Sequence, residues 1–583
     1  GTARFTVITS SLLRCELANT RGEFEDRPSL VMSTLDQLPS DPPPFTVERP
    51  SETSAVITTE HLVLRYSAAS ERERTLSEGQ PCTQTPNATA DLGGFTAEEL
   101  NITLTVSGKT VVWQAGMKDE QNLNGTLNAL DCYEEPAICA QGYRQSYSQG
   151  LISRTGWATF DDSATGHWEP EGSVEHDWRW FDSSNSSLQA QADIYFFGHG
   201  HRYKDALKDF MLVAGKPAMP PLSAFGIWWS RYWVYSSKSF TEQVLDGYAE
   251  HALPLNHVVM DMDWHTTGQW GGYSWNRTLF PDVSGFINGL HTNGNPVGHP
   301  LKLLLNLHPG VVGPTEDRWV PFVTALGYKN GSEPFTNQSF SVACAMNNRT
   351  YTSALFSEVL GSFTPESSNP NAMVDYWWTD WGGCQSGAPA LPDLAHDELG
   401  KCVGSNNLWW GNYVYHSDPG RFGGVGSMPA KRGLVLSRYG GLGTHRYPVG
   451  FSGDAQQSYL TLQFQIEMTP KASNVLFGWW SHDLGGFHNG TLGNRSNVGD
   501  EDPKSLVGSE LYLRWCEHVG KPSHAEPSLR TLVCVCCGHI VVHCRLQFGA
   551  LSPIFRTHCN LDDTTAPSVS FALPRVGSTV SCT

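Results

Sequence analysis

The stretch from Val374 to Gly383 reads VDYWWTDWGG, an apolar and aromatic run that ends in one carboxylate and a pair of glycines. This pattern is typical of a buried parallel strand followed by a loop, with Asp380 at the carboxyl end of the strand. Barrel enzymes keep their catalytic groups at that end. An Asp before Gly is also common in turns, where its side chain binds backbone amides. Alone, the stretch leaves both interpretations open.

Three other segments repeat the pattern and favour a catalytic strand end. Residues 258–265 read VVMDMDWH and end in acids and a histidine, residues 433–438 read GLVLSR and end in a base, and residues 475–483 read VLFGWWSHD. Apolar runs with polar tips, recurring at intervals of tens of residues, are the sequence form of a (β/α)8 barrel whose tips converge.

The chain divides into two predicted domains. Residues 1–215 carry short β-rich segments separated by Gly, Pro and Asn, which predicts an N-terminal β-sandwich. A helical pattern over Tyr203–Val213 precedes the proline-rich boundary at 217–221. Residues 216–583 alternate strands with amphipathic helices, which predicts the catalytic (β/α)8 TIM barrel. Its predicted strands are Phe225–Trp229, His257–Met260, Leu303–His308, Met373–Trp378, Leu434–Ser437, a short strand leading into Gly450, and Val475–Trp480.

Composition narrows the class of partner. The chain has 583 residues, of which 39 are Lys or Arg and 58 are Asp or Glu, and its net charge is −19. Because no basic cluster stands out, the charge argues against nucleic acid and anionic membranes as partners. No apolar run reaches the ~18 residues that a membrane span requires. The 20 Trp residues suit stacking on sugar rings and suit an ordinary core equally well.

Glycosylation sequons and cysteines indicate an oxidising compartment. The 14 Cys residues would allow disulfides, of which Cys132–Cys139 and Cys384–Cys402 are close enough in sequence to close loops, although the connectivity stays open. Ten Asn-X-Ser/Thr acceptors predict passage through the secretory pathway or an extracellular location. They are Asn87, Asn101, Asn124, Asn185, Asn276, Asn330, Asn337, Asn348, Asn489 and Asn494.

Taken in order, the strand tips resemble glycoside hydrolase family 31, the α-glucosidase family. The resemblance runs from RFTV at 4–7 and FEDRP at 24–28 through nearly the whole chain. The motifs that carry it are Asp261-Met262-Asp263, Trp378-Thr379-Asp380, Ser437-Arg438, Arg446-Tyr447, Gly453-Asp454 and Asp483-Leu484-Gly485-Gly486-Phe487.

The resemblance implies a pair of catalytic carboxylates. Asp380 corresponds to the nucleophile and Asp454 to the acid/base of a retaining mechanism, which requires carboxyl groups about 5 to 5.5 Å apart. Asp380 must stay ionised, and Arg438 is the expected donor beside it. Asp454 must begin protonated, and we expect an adjacent negative charge and the Phe451 ring to raise its pKa.

The resemblance also implies a closed sugar pocket without metal or cofactor. Asp261 and His558 correspond to residues that bind sugar hydroxyls, while Trp378 and Phe487 would form the apolar floor. Asp263 and Asp483 are expected to brace loops. The implied activity is exo-acting hydrolysis of terminal α-linked sugars from an oligosaccharide or glycan, of the α-glucosidase type. Because the Asp261–His265 loop and the WGGYSWNR segment at 270–277 differ from the best-known glucosidases, α-xylosidase and transglycosylase activities stay open.

Two departures from the family pattern affect the end of the chain. Residues 516–545 interrupt a continuous family segment and contain Cys534, Cys536, Cys537, His539, His543 and Cys544, which fits a zinc site or a non-native insertion such as a retained intron. We expect the insertion. The chain is also predicted to be truncated near the end of the barrel, without the family's C-terminal β-domains. A catalytically silent carbohydrate-binding relative, or a truncated non-functional product, is therefore the alternative to an enzyme.

Overall fold

The structure is a computed structural model, and it describes most of the chain up to residue 487 and short pieces beyond. The described residues are 2–19, 22–68, 94–126, 147–163, 165–169, 174–175, 178–182, 192–251, 253–266, 271–293, 300–308, 313–329, 349–363, 374–380, 406–418, 431–438, 441–447, 449–487, 506–507, 511–512, 514–515, 555–557 and 560–561.

The amino-terminal region contains two antiparallel sheets. One has the strand order β1-β2-β13-β8 and the other runs β3-β4-β5-β6-β7. The strands are β1 (Ala3–Val7), β2 (Leu12–Leu17), β3 (Thr46–Ser51), β4 (Ser54–Thr58), β5 (Leu62–Ser67), β6 (Leu100–Val106), β7 (Lys109–Gln114), β8 (Ala158–Asp161), β9 (His167–Trp168), β10 (Val174–Glu175), β11 (Trp178–Arg179), β12 (Phe181–Asp182) and β13 (Ala192–Phe197). The short strands pair as β10 with β11 and β9 with β12.

Both sheets contribute side chains to one hydrophobic core. In β6, Leu100, Ile102 and Leu104 are buried and alternate with less buried polar residues, as the period of two in a strand requires. These leucines and isoleucine share a cluster with Cys15 of β2 and Ile194 of β13. The β-sandwich over residues 1–215 and the boundary at 215 stay predictions.

The second region is built on a seven-stranded parallel sheet. Its order is β19-β18-β17-β16-β15-β14-β21, and each neighbouring pair is parallel. The strands are β14 (Ile227–Arg231), β15 (His257–Met260), β16 (Lys302–Leu307), β17 (Tyr376–Thr379), β18 (Val435–Ser437), β19 (Val449–Gly450), β20 (Leu506–Val507), β21 (Phe555–Thr557) and β22 (Asn560–Leu561). β20 pairs with β22 outside this sheet.

Helices connect these strands in chain order. They are α1 (Tyr203–Ala214), α2 (Ser237–Phe240), α3 (Asp246–Glu250), α4 (Val283–Asn293), α5 (Trp319–Ala325), α6 (Arg349–Ala354), α7 (Asn406–His416) and α8 (Tyr459–Ser473). π-helical turns at Thr241–Leu245 and Leu355–Val359 and 3-10 turns at Leu35–Gln37, Leu222–Ala224, Met262–Trp264, Leu360–Phe363 and Thr444–Arg446 complete the helical elements. The helical segment that follows β14 consists of three consecutive pieces, α2, the π turn and α3.

The sheet is buried on both faces, which explains its near-continuous apolar strands. Along β17, Trp378 packs into one cluster with Val259 and Leu436, while Trp377 belongs to a second cluster with Val258. The second cluster also contains helix residues such as Ile287 of α4, so that face carries the helices.

The prediction of a strand at Val475–Trp480 is wrong. Helix α8 ends at Ser473, and Leu476 then adopts a left-handed conformation with a φ of 64°. Only an isolated bridge between Gly450 and Trp480 joins this segment to the sheet. The physical reason is that Val475, Phe477 and Trp480 bury their side chains from a turn, in a cluster shared with Phe197.

Several predictions fall on residues outside the described part of the chain. These are the insertion at 516–545, the cysteine pairs 132–139 and 384–402, His558 and the tail after residue 561. Within the described residues, no helix combines the length and the apolar character needed to cross a bilayer.

Asp375, at the amino end of β17, anchors the edge of the sheet that lies opposite the polar tips. Its carboxylate accepts hydrogen bonds from Lys302 Nζ at 2.7 Å, His291 Nε2 at 2.8 Å and the Leu303 amide at 2.9 Å. Burial opposes ionisation, but His291 and Lys302 outweigh it and lower the pKa of Asp375.

We expect Asp375→Asn to lower the free energy of unfolding by about 1–3 kcal/mol at pH 7, because three donors lose a charged acceptor. A lowered folded-state pKa contributes stability above the unfolded value of about 3.9, and this stability is lost as the pH falls through the folded pKa. The difference between wild type and variant, measured by urea unfolding, should therefore narrow in acid. A difference that stays constant from pH 7 to about pH 3 would show that the carboxylate charge is not what stabilises this edge.

Candidate active site

Polar residues follow five neighbouring parallel strands and meet at one edge of the sheet, which we call the carboxyl edge. Asp261 comes directly after β15, His308 after β16, Asp380 after β17 and Arg438 after β18. Asp454 follows β19 by four residues. Because the strands run parallel, their carboxyl ends line up, and residues far apart in sequence become neighbours.

Arg438 joins the two candidate catalytic carboxylates. Its Nη1 donates to Asp380 Oδ1 at 2.8 Å and to Asp454 Oδ1 at 3.0 Å, and its Nη2 lies 3.0 Å from the same Asp454 oxygen. Since both oxygens contact one nitrogen, they are no further apart than the sum of the first two distances. That bound lies below the ~6.5 Å at which the carboxyl separations of inverting glycosidases begin.

The other oxygen of Asp380 faces β16. Asn306 Nδ2 donates to Asp380 Oδ2 at 2.9 Å, and His308 Nε2 lies 3.7 Å from the same oxygen. The Asp380 amide donates to the Leu307 carbonyl at 2.8 Å. Both oxygens of the carboxylate and its backbone are therefore held.

These neighbours keep Asp380 ionised. Its side chain is buried, and burial alone would raise the pKa of the carboxyl group. The Arg438 guanidinium, His308 and the Asn306 hydrogen bond outweigh that effect, so the pKa of Asp380 lies well below its ordinary value. A carboxylate that stays charged near neutral pH is suited to nucleophilic attack.

Asp454 is more accessible than Asp380. A third of its side chain is exposed, against a tenth for Asp380. The sequence led us to expect a neighbouring negative charge beside it. The structure puts the Arg438 cation in direct contact with Asp454, and the negative charge of Asp380 contacts the same guanidinium nitrogen.

Trp378 and Phe451 pack beneath the charged groups. The two rings meet edge to face with centroids 5.5 Å apart, and both are almost fully buried in the cluster on the inner face of the sheet. The Arg438 guanidinium carbon lies 5.6 Å from the centroid of Phe451. This apolar layer removes Arg438 from water, which strengthens its interactions with both carboxylates.

Phe487 lies beside Asp454 at the other end of the site. Its amide donates to the Ala455 carbonyl at 2.7 Å, and its half-buried ring meets Tyr232, just after β14, edge to face at 5.3 Å. Phe487 therefore belongs to a half-buried aromatic rim, whereas Trp378 is a buried support.

Asp261 begins the 3-10 turn that follows β15. Its Oδ1 accepts from the Met262 amide at 2.6 Å, and its side chain is buried. Trp264, at the end of the turn, donates from Nε1 to the Asn306 carbonyl at 2.9 Å. Asp263 and Asp483 are buried as well.

The loop after the Asp261 turn is held by Glu316. This carboxyl group accepts from the Tyr273 amide at 2.9 Å and from Ser274 Oγ at 2.6 Å. Burial outweighs these hydrogen bonds and raises the pKa of Glu316. The loop at 271–277 is thus held by Glu316 of a neighbouring loop.

The structure brings together Asp380, Arg438, Asp454 and Phe451, and it puts Asp261 on the same edge. Sequence analysis missed Asn306 and His308, although the LNLH tip of β16 has the same form as the other strand tips. It also missed Tyr232, which directly follows β14. Among the residues that the structure describes, no group of three or more His, Cys, Asp or Glu is arranged to hold a metal ion.

The chain is similar to known proteins of one family. Residues 217–519 match the model of the glycosyl hydrolases family 31 TIM-barrel domain. An α-xylosidase of Emericella nidulans is 24% identical over 59% of this chain and 40% of its own length. The α-xylosidase XylQ of Lactiplantibacillus pentosus is 24% identical over 66% of this chain and 46% of its own length. The chain thus spans less than half of these curated relatives.

A solved structure shares the fold. The family 31 dextranase of Flavobacterium johnsoniae, in complex with glucose, superposes with a TM-score of 0.58 at 16% identity, over 97% of this chain and 63% of the dextranase. The family model covers more than half of the chain, and the strand tips that it spans carry both carboxylates and the arginine between them. This chain belongs to glycosyl hydrolase family 31.

Proposed function

We propose that this chain is a retaining glycosidase that removes terminal α-linked sugars by double displacement. The observation that carries the proposal is the contact of one buried guanidinium with both Asp380 and Asp454. The nearest oxygens of the two carboxylates therefore lie closer together than the carboxyl groups of inverting glycosidases, which favours direct attack by Asp380 on the sugar. Asp380 is fixed and ionised, while Asp454 is accessible.

In the first step, Asp380 attacks the anomeric carbon while Asp454 protonates the departing glycosidic oxygen. The C–O bond to the leaving group breaks, and an ester forms between the sugar and Asp380. In the second step, Asp454 takes a proton from water, the water oxygen attacks the same carbon, and Asp380 leaves as a carboxylate. Two inversions return the original α configuration.

The remaining site residues bind and orient the sugar in this proposal. Asp261 binds hydroxyls of the sugar at the cleavage point, and His558 takes the second hydroxyl-binding role that the family resemblance implies. Phe487 stacks at the rim, while Trp378 and Phe451 support Arg438 from below. No cofactor or metal enters either step.

The proposed substrate is an oligosaccharide or glycan with a terminal α-linked glucose. Relatives named α-xylosidase make xylose the competing sugar, and the Glu316-anchored loop is the part of the site that differs from the family's glucosidases. We also propose action in the secretory pathway or outside the cell. Asn101 and Thr103 of one sequon alternate with buried residues on β6, which puts the acceptor on the outer face of its sheet.

A panel of aryl α-glycosides tests the proposal. We expect one of the glucoside, xyloside, galactoside and N-acetylgalactosaminide to be hydrolysed, and proton NMR of the first product to show the α anomer. Release of the β anomer would show inversion and overturn the mechanism. A folded protein that hydrolyses none of the four, yet binds a sugar, would favour a catalytically silent carbohydrate-binding protein.

A further inference from the structure

Asn306 is a buried amide that contacts the candidate nucleophile. It lies on β16, and its side chain is fully buried. Its Nδ2 donates to Asp380 Oδ2 at 2.9 Å, while its Oδ1 is also buried and accepts no hydrogen bond from the residues that the structure describes. The side-chain amide therefore donates to Asp380, and its Oδ1 accepts no hydrogen bond from the described residues.

This orientation is dictated by charge. An amide carries a donor and an acceptor of nearly equal size, and the reversed orientation would turn Oδ1 toward a carboxylate that accepts only. Asn306 lies two residues after Leu304 and is the register partner of Trp378 on β17. Leu304 and Trp378 both belong to the apolar cluster on the inner face of the sheet. A polar side chain there is costly unless its hydrogen bond to a charge offsets the burial.

The contacts on Asp380 come from opposite sides. Arg438, after β18, binds Oδ1, and Asn306, on β16, binds Oδ2. His308 also faces Oδ2, at 3.7 Å, and His265 interacts electrostatically with His308. Donors on both oxygens, from the strands on either side of β17, fix the rotation of the carboxylate about its Cβ–Cγ bond.

Asn306 also joins the nucleophile to the Asp261 turn. The backbone carbonyl of Asn306 accepts a hydrogen bond from Trp264 Nε1 at 2.9 Å, and Trp264 is the last residue of that turn. One residue thus contacts both the carboxylate that would attack the sugar and the turn that would bind its hydroxyls.

We propose that Asn306 is a positioning residue that sets the orientation of the Asp380 carboxylate for attack on the anomeric carbon. The proposal rests on the function proposed above and adds a residue to it. The side chain of Asn306 acts through Asp380 alone, so its contribution to kcat/KM must disappear when Asp380 is absent.

A double-mutant cycle with azide rescue tests this dependence. Asn306→Leu is made in the full chain, alone and together with Asp380→Gly. In the Asp380→Gly background, azide takes the place of the carboxylate, attacks the anomeric carbon of an activated aryl α-glycoside and displaces the phenolate. Asn412→Leu is the matched control, since Asn412 is also buried and accepts from Ser437 Oγ at 2.7 Å on β18.

We expect Asn306→Leu to lower kcat/KM of the otherwise unchanged enzyme about ten- to a hundredfold, the effect of losing a hydrogen bond to a charged group. In the Asp380→Gly background, the same change should alter azide-rescued turnover by no more than about twofold. Asn412→Leu should show no such difference between backgrounds. If leucine impairs folding, Asn306→Ser, which withdraws the donor from Asp380, is measured in the same cycle.

Two results would overturn the inference. An equal loss in both backgrounds would mean that Asn306 acts on the substrate or on the fold, and full activity of Asn306→Leu would mean that it has no role. An enzyme with Asn306 and Asp380 intact that hydrolyses no glycoside would instead defeat the proposed function, and this inference with it.

Discussion

Asp380→Ala is expected to lower turnover of the best aryl α-glycoside by at least about four orders of magnitude. The variant lacks the atom that forms the covalent intermediate, and no other carboxylate of the site shares the position between Arg438 and Asn306. The fold should survive, because Asp454 remains against Arg438 and leaves the guanidinium with a counter-charge. Initial rates and urea unfolding measure the two effects separately.

Azide distinguishes the roles of the two carboxylates. Added to Asp380→Ala, azide should give the β-glycosyl azide, because a single displacement inverts the α-linked carbon. Added to Asp454→Ala, it should give the α-glycosyl azide, because azide then attacks the intermediate on Asp380 as the second nucleophile. If Asp380→Ala instead gave the α-glycosyl azide and Asp454→Ala the β-glycosyl azide, Asp454 would be the nucleophile and Asp380 the acid/base. Asp282→Ala, at an exposed Asp that only caps the Gly285 amide, is the matched control and should keep full activity.

Arg438→Met is expected to reduce both activity and stability. The side chain is almost fully buried, and its removal leaves Asp380 in an apolar site without its cation. Breaking a buried pair in this way costs about 3–5 kcal/mol of unfolding free energy. Arg438→Lys keeps the charge but loses the contact with two carboxylates at once, so it should recover part of the stability and little of the activity. Urea unfolding and kcat/KM of both variants are the measurements.

The stability loss in Arg438→Met has a defined dependence on pH. In the wild type, the folded-state pKa of Asp380 lies below its ordinary value, so ionised Asp380 stabilises the fold above about pH 3.9, and this contribution is lost as the pH falls through the folded pKa. In the variant, burial is no longer offset by Arg438, and protonation of Asp380 in acid relieves the penalty. The gap between the two proteins should be largest near neutral pH and narrow below about pH 4. A gap that widens in acid would show that Arg438 stabilises the fold by packing alone.

The catalytic strand ends could be found from local patterns. Asp261, Asp380 and Arg438 each follow a run of apolar residues, and a parallel sheet buried on both faces requires such runs and puts polar residues at their ends. Five of the predicted barrel strands coincide with observed strands to within a few residues, because short apolar runs carry a strong local signal.

The run at Val475–Trp480 shows where that signal fails. Its residues are apolar because they are buried, but they are buried from a turn, with Phe477 and Trp480 packed over Gly450. A Cβ on Gly450 would approach these two rings to about 3 Å, so the glycine makes the close contact possible. Apolar periodicity reports burial and cannot tell a short strand from a turn that is equally buried.

Parallel strands with acids and a base at their ends could be predicted from local sequence, because burial on both sheet faces and polarity at the strand ends are properties of neighbouring residues. The contact of Arg438 with both Asp380 and Asp454, and that of Asn306 with the second oxygen of Asp380, depend on the folded sheet. These contacts depend on the register between strands that lie tens of residues apart in the chain. That register is set by packing of the whole sheet, which no single stretch of sequence contains.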